Sequence, residues 1–240
     1  MSHRSLYFVL AAAAIFTTAT GPSRAGQLSV EPILLEMSAP AASGTLKLRN
    51  DGTGEVTAQT RVLRWTQVDG VEKLEPTTDV VSSPPAVTLT PNVDYVVRIV
   101  RVSRQPIRGE ESYRVLVDQL PSNSREAQPT VMLLIRQSIP IFFRAPQVSA
   151  AKVSWSLARK GEKLFLNAAN AGDERLRLAS VRLEDAARTT IFFGGGLLGY
   201  VLGHSTMSWQ TPRHARAFGV SGPVTVTTQT NKGALKAVIQ

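Results

Sequence analysis

Val131-Met132-Leu133-Leu134-Ile135-Arg136-Gln137-Ser138-Ile139-Pro140-Ile141-Phe142-Phe143-Arg144 is the stretch on which the reading of this chain turns. Its odd positions run Val131, Leu133, Ile135, Gln137, Ile139, Ile141 and Phe143, a period-two apolar face with one interruption. The even positions start apolar and then change to Arg136, Ser138 and Pro140. A strand apolar on both faces belongs in mid-sheet, yet proline cannot donate to a ladder and belongs at an edge or a bulge. An apolar edge strand aggregates unless something pairs with it. The conflict points to a protein that lends a strand. The plain alternative is that Val131, Leu133 and Ile135 are core residues of a central strand.

Working outward from this segment, the chain reads as all-β. Towards the N-terminus, strands are expected at residues 28–35, 45–49, 56–68, 87–89, 95–101 and 113–120. Asn50-Asp51-Gly52 and Asp69-Gly70 supply hairpin turn signals, and Ser82-Ser83-Pro84-Pro85 breaks the pattern. A polar loop over residues 121–129 feeds the opening segment. About seven short strands separated by Gly, Pro and Asn predict an immunoglobulin-like sandwich, and no long amphipathic helix competes.

Ala145-Pro146 reads as a stiff linker. Beyond it the strand pattern restarts at residues 152–157, 164–168, 176–183, 190–193, 200–202 and 224–229. The expected division is therefore 1–25 as a signal peptide, 26–145 as a first immunoglobulin-like domain and 146–240 as a second β-sandwich. No internal repeat marks the two halves as duplicates. Gly194, Gly195 and Gly196 lack the Gly-Lys-Ser/Thr ending and the following helix of a phosphate loop, so they read as a hairpin tip.

His3 and Arg4, the apolar run over residues 6–16 and the small residues around Ala25 form a secretory signal. No stretch reaches the roughly 18 apolar residues of a membrane span. Cleavage before Gly26 leaves 215 of the 240 residues, and loss of Arg4 and Arg24 takes the net charge from +9 to +7. The basic residues are spread along strands with no block of five, which fits an acidic or carboxylate-bearing protein better than nucleic acid. There is no cysteine, so stability in an oxidising compartment rests on packing alone.

Enzyme chemistry finds little support. The mature chain holds two histidines, His204 and His214, both in loop-rich sequence where surface positions are expected. No paired carboxylates, nucleophile elbow or metal-ligand spacing accompanies them, so neither catalytic residues nor a metal or cofactor is expected.

Several stretches, in order, resemble the periplasmic pilus-chaperone family. They are Ser29-Val30-Glu31-Pro32, Leu48-Arg49-Asn50, Tyr113-Arg114-Val115-Leu116-Val117-Asp118-Gln119-Leu120-Pro121 and Ser138-Ile139-Pro140-Ile141-Phe142-Phe143-Arg144. Asn170-Ala171-Gly172 and Gly199-Tyr200-Val201-Leu202 are similar to the branch that builds archaic or spore-coat-like pili. The resemblance implies two immunoglobulin-like sandwiches set at an angle, in the periplasm. It also implies a partner: a pilus subunit lacking its last strand, delivered to an outer-membrane usher. Val131, Leu133, Ile135, Gln137 and Ile139 would complete that subunit's fold by β-strand addition.

Family members often hold the subunit's terminal carboxylate with a basic pair, and Leu34 and Pro140 stand here at those positions. Arg114 and Arg136 are the candidate replacements, with a solvated strand face or an internal ion pair as the alternative for each. Arg98 and Glu111 are expected to form a structural pair. Two rival readings are an exported immunoglobulin-like adhesin or carbohydrate-binding module and a structural pilus subunit. The scarcity of aromatics (6% of residues) weighs against the first. The two-domain length and mid-chain donor segment weigh against the second. An exposed apolar edge also favours self-association of the free protein.

Overall fold

Alternating inward-facing aliphatics build two pairs of antiparallel-rich sheets, one after the other along the chain. The structure, a computed structural model, describes residues 28–121, 134–212, 215 and 217–239. The proposed signal peptide, Val131, Leu133 and His214 lie outside the described residues. Every element among those described is a strand.

The first pair begins with β1 (Leu28–Glu31) and β2 (Leu35–Ser38), which lie in different sheets. One sheet has the order β1, β3 (Ser43–Asn50), β8 (Asp94–Arg101), β6 (Val80–Ser83). The other has the order β2, β10 (Arg136–Arg144), β9 (Glu110–Gln119), β4 (Val56–Val68), β5 (Val71–Pro76), with β7 (Ala86–Leu89) also against β4. Between them Leu46, Leu48, Val97, Ile99, Tyr113, Val115, Val117, Ile141 and Phe143 are buried in one core.

The second pair consists of β11 (Val153–Lys160), β12 (Lys163–Asn170) and β16 (Ser205–Gln210), facing a larger sheet. In that sheet β13 (Leu176–Glu184) pairs with β17 (Val224–Thr230), β17 with β18 (Gly233–Ile239), and both β14 (Thr190–Phe192) and β15 (Leu197–Val201) lie against β13. Leu164, Leu166, Leu178, Val181, Leu183 and Val226 form its core. The two-domain, all-β, immunoglobulin-like expectation holds.

Four local expectations are corrected. Residues 28–35 are not one strand: Pro32 has no N–H for a ladder, and the chain crosses from one sheet to the other there. Asn50-Asp51-Gly52 is not a hairpin but a crossover between sheets. Its turn is held by the Asn50 side chain, which accepts from Gly52 N (2.9 Å) and donates to the Gly54 and Leu89 carbonyls (2.7 and 3.0 Å). Gly194, Gly195 and Gly196 are not a hairpin tip, because β14 and β15 both pair with β13 and the glycines interrupt a single edge line. Arg98 does not pair with Glu111. Arg101 does, at 2.8 Å, because Arg98 projects into solvent from β8.

Asn170 repeats the Asn50 device in the second domain. It accepts from Gly172 N (3.0 Å) and Lys152 N (2.9 Å) and donates to the Glu174 carbonyl (2.8 Å). The two domains share this turn even though their sequences show no repeat. At Gly172 a Cβ would sit 2.0 Å from the Ala150 carbonyl oxygen, so only glycine fits.

Candidate functional site

Asp69 (φ 54°) and Gly70 (φ 79°) close the β4–β5 hairpin as the sequence expects, and its tip reaches the second domain. There Ser208 N donates to the Gly70 carbonyl (3.0 Å). One turn down, the buried Gln67 amide donates to the Tyr200 carbonyl (2.8 Å) and accepts from Leu202 N (2.9 Å). Trp65, Phe142, Tyr200 and Leu202 pack beside it in a separate apolar cluster, with Leu34 against it. Trp65 meets the Tyr200 ring edge-on at 5.5 Å. β10 is therefore apolar on both faces near Phe142 because each face is covered by this chain: the first-domain core on one side, the second domain on the other.

A buried ionic network continues the same interface. Arg175, from the second domain, bonds Glu110 on β9 (2.5 Å) and Glu36 on β2, and its guanidinium lies 3.5 Å over the Phe142 ring. Arg144 at the end of β10 bonds Glu174 (3.0 Å), which also receives Lys232 (2.5 Å). Burial raises the Glu110 carboxyl above its usual range, and the Arg175 charge offsets part of that. The cleft between the domains is thus clamped by packing, hydrogen bonds and charge together.

β10 borders this cleft, and its two edges differ. Along its length it pairs antiparallel with β9, from Arg136 opposite Asp118 to Arg144 opposite Glu110. On the other edge β2 covers only Ile141 to Arg144, and among the described residues no strand pairs with residues 136–140 there. Gln119 N donates to the Ile135 carbonyl (3.0 Å) and Ala39 N to the Arg144 carbonyl (2.9 Å), which fixes the alternation. Odd residues aim their backbone groups at β9, and even residues aim theirs outward. Arg136 and Ser138 therefore present N–H and C=O groups on the open edge. Pro140 faces the same way, so its missing N–H leaves the ladder with β9 intact.

The site residues expected from sequence fall into three groups. Leu134 is exposed, and Ile135 and Gln137 are half-buried on the open stretch. Gln137 Nε2 donates to the Leu28 carbonyl (2.6 Å), tying this corner to β1. Ile139 turns into the first-domain core and is only 4% exposed, so its side chain is committed to this chain and leaves the donor set. Arg136 bonds Asp118, which also receives Arg61 (2.6 Å). Burial would raise the Asp118 carboxyl, but the hydrogen bonds from Arg136 and Arg61 outweigh it and hold it below the usual range. Arg114 stacks 3.8 Å over the Trp65 ring, with Glu72 at 3.9 Å, and burial lowers its pKa. Arg114 lies opposite Pro140, at the end of the open edge, whereas Arg136 lies at its beginning.

Sequence reasoning missed the clamp. Trp65 and the Gly199-Tyr200-Val201-Leu202 motif were visible signals for it. Glu110 and Arg175 carried none, being 65 residues apart in the chain. His204 is exposed and bonds Asp173 (2.8 Å), a surface pair as expected.

Two immunoglobulin-like sandwiches locked across a cleft, with an unfilled strand edge opening beside it, have the architecture of the chaperones of pilus assembly. The family described as pili and flagellar-assembly chaperone, PapD N-terminal domain, matches residues 27–149, and the chain belongs to it. No curated protein matches. Among solved structures it is similar to a chain of the CsuC–CsuE chaperone–tip adhesion subunit pre-assembly complex from archaic chaperone-usher Csu pili of Acinetobacter baumannii. That match has 20% identity and a TM-score of 0.67 over 89% of this chain and 97% of that one. It is also similar to a chain of the Salmonella enterica SafA pilin–SafB chaperone complex (20%, 0.62, 88% and 96%). The E. coli chaperone DraB matches at 20%, with a TM-score of 0.58 over 88% and 97%. At these identities the likeness establishes the fold.

Proposed function

We propose that the chain is a periplasmic chaperone that stabilises a pilus subunit by lending it a strand, and that it hands the subunit to an outer-membrane usher. The observation that carries the reading is the open edge of β10 over residues 136–140, beside a cleft held at a fixed geometry. A subunit strand laid along this edge would bond the outward groups of Arg136 and Ser138. Val131, Leu133 and Ile135 would fill the groove of the incomplete subunit.

Three buried aliphatics at about 1.5–3 kcal/mol each give a gross 5–9 kcal/mol. Association and ordering offset much of that, which suits a complex that must later exchange. Arg114 is the better-placed carboxylate anchor, because it stands opposite Pro140 at the closed end of the edge. Among the described residues its ion-pair partner is Glu72, at 3.9 Å. The mechanism is non-covalent and draws on the unfinished folding of the subunit.

The test is periplasmic co-expression of the tagged chaperone with a pilus subunit from the same genome. Ile135→Asp should leave the chaperone folded and abolish recovery of the subunit. Normal recovery from a folded Ile135→Asp variant would refute strand donation.

A further inference from the structure

Arg114 is a largely buried cation that its own fold leaves short of acceptors. Its side chain is 15% exposed, and the guanidinium lies over Trp65 with Glu72 at 3.9 Å, beyond hydrogen-bond reach. Two arginines buried more deeply are served differently. Arg101 bonds both oxygens of Glu111 at 2.8 Å and the carbonyls of Ser103 and Gln105 at 2.7 Å. Arg175 bonds Glu110 and Glu36. In the ring beneath the Arg114 guanidinium, the buried Trp65 Nε1 also has no hydrogen-bond partner among the described residues. Donors left unpaired in a partly desolvated site are costly, and an incoming acceptor recovers that cost.

Glu72 stands opposite Gln67 on β5, a strand with no buried residue, so packing does not call for a carboxylate there. Its ion-pair partner among the described residues is Arg114. Arg114 itself starts on β9, opposite Leu63 of β4 on one side and Pro140 of β10 on the other. To lie over Trp65 and meet Glu72 it reaches across β4, away from the strand-lending β10 and beside the Tyr200 ring of the second domain (6.0 Å). Burial lowers the Arg114 pKa, and the Glu72 charge offsets part of that. The acid thus holds the cation in the cleft while satisfying it only in part.

We propose that Glu72 is a placeholder for the subunit carboxylate: it positions Arg114 over Trp65 in the free chaperone, yields to the arriving carboxylate, and limits how long the subunit is held. This role rests on Arg114 being the subunit anchor and adds the residue that sets its grip. A carboxylate at the usual charge-assisted distance of about 2.7–2.9 Å outcompetes an acid that stays outside hydrogen-bond reach. Once displaced, Glu72 remains a like charge beside the bound carboxylate and favours its release.

The experiment uses complexes of the mature chain, wild type, Glu72→Gln, Arg114→Ala and the double variant, each purified after co-expression with a pilus subunit from the same genome. The readouts are the half-life of subunit transfer into excess differently tagged wild-type chaperone and the urea midpoint of each free chaperone. Glu72→Gln should lengthen the half-life about two- to fivefold, the scale of one partly exposed ion pair, with the midpoint unchanged. Arg114→Ala should shorten it about tenfold or more, or abolish the complex, and Glu72→Gln should then give no gain. A half-life for Glu72→Gln equal to or below wild type, alongside faster loss from Arg114→Ala, overturns the placeholder and leaves the anchor standing. A wild-type half-life for Arg114→Ala overturns both. Slower transfer from Glu72→Gln that persists in the double variant also overturns the placeholder, because Glu72 would then act on the subunit without Arg114.

Discussion

Replacing Gln67 by alanine removes the amide that bridges the two domains. In the native protein that amide satisfies the Tyr200 carbonyl at 2.8 Å and the Leu202 N–H at 2.9 Å. Tyr200 and Leu202 are both 5% exposed, so water does not readily replace the lost partner. An unsatisfied buried group costs about 1–3 kcal/mol, and two of them with partial relaxation give about 2–4 kcal/mol. Against a total stability of about 5–15 kcal/mol this is a large fraction. With a urea dependence near the upper end of about 1–3 kcal/mol/M, the midpoint should fall by about 1 M. Gln67→Glu should do no better, since it keeps an acceptor for Leu202 N–H but sets an oxygen against the Tyr200 carbonyl and buries a charge. The assay is urea unfolding of the mature chain, with exposed Gln229→Ala as a control expected within about 0.5 kcal/mol of wild type. Small-angle scattering should show the domains of the Gln67→Ala variant less fixed relative to each other. A midpoint and scattering curve identical to wild type would refute the clamp.

Asn170→Ala should destabilise the second domain by about 2–4 kcal/mol, because buried backbone groups of Gly172 and Glu174 lose their partner. Calorimetry checks this, and a shift no larger than that of a surface substitution would contradict it. Stability should also fall in acid. Asp118, bonded by Arg136 and Arg61, and Asp185, bonded by the Gly219 N–H, are both held below the usual carboxylate range. A carboxyl depressed in the folded state contributes fully above its unfolded value of about 3.9, and that contribution is lost as pH falls through the folded value. Urea midpoints should therefore drop below about pH 4, and Asp118→Asn should shallow the drop.

The fold was legible because inward-facing aliphatics alternate cleanly in β3 and β8, and a period of two has one structural meaning. What the pattern could not convey was where strands change sheets. Pro32 marks a break in a run of apolar residues, but the switch from β1 to β2 depends on which neighbour each half finds in space. β5 was invisible for a related reason: all its residues are exposed, so no buried face imposes a period on Val71 to Pro76.

The candidate site was legible only in part. Pro140 correctly signalled an edge, and the backbone alternation supplies the physical reason. Phe142 and Ile139 misled in opposite ways. Phe142 looked like part of an exposed apolar strand but is covered by Tyr200 and Leu202, and Ile139 looked available but completes its own core. Phe142 is covered by residues of the second domain and Ile139 by a core gathered from both sheets of the first, neither of which periodicity along one strand encodes. The clamp of Gln67, Glu110 and Arg175 is long-range in the same sense.

The central claim is that the open edge of β10 becomes paired when a pilus subunit binds. Amide hydrogen exchange at Arg136 and Ser138 tests it residue by residue, with Val115 and Val117 on the neighbouring β9 as internal references. The account predicts fast exchange at Arg136 and Ser138 in the free protein and strong protection in the purified chaperone–subunit complex, with Val115 and Val117 protected throughout. Exchange at Arg136 and Ser138 that stays equally fast in the complex would contradict it.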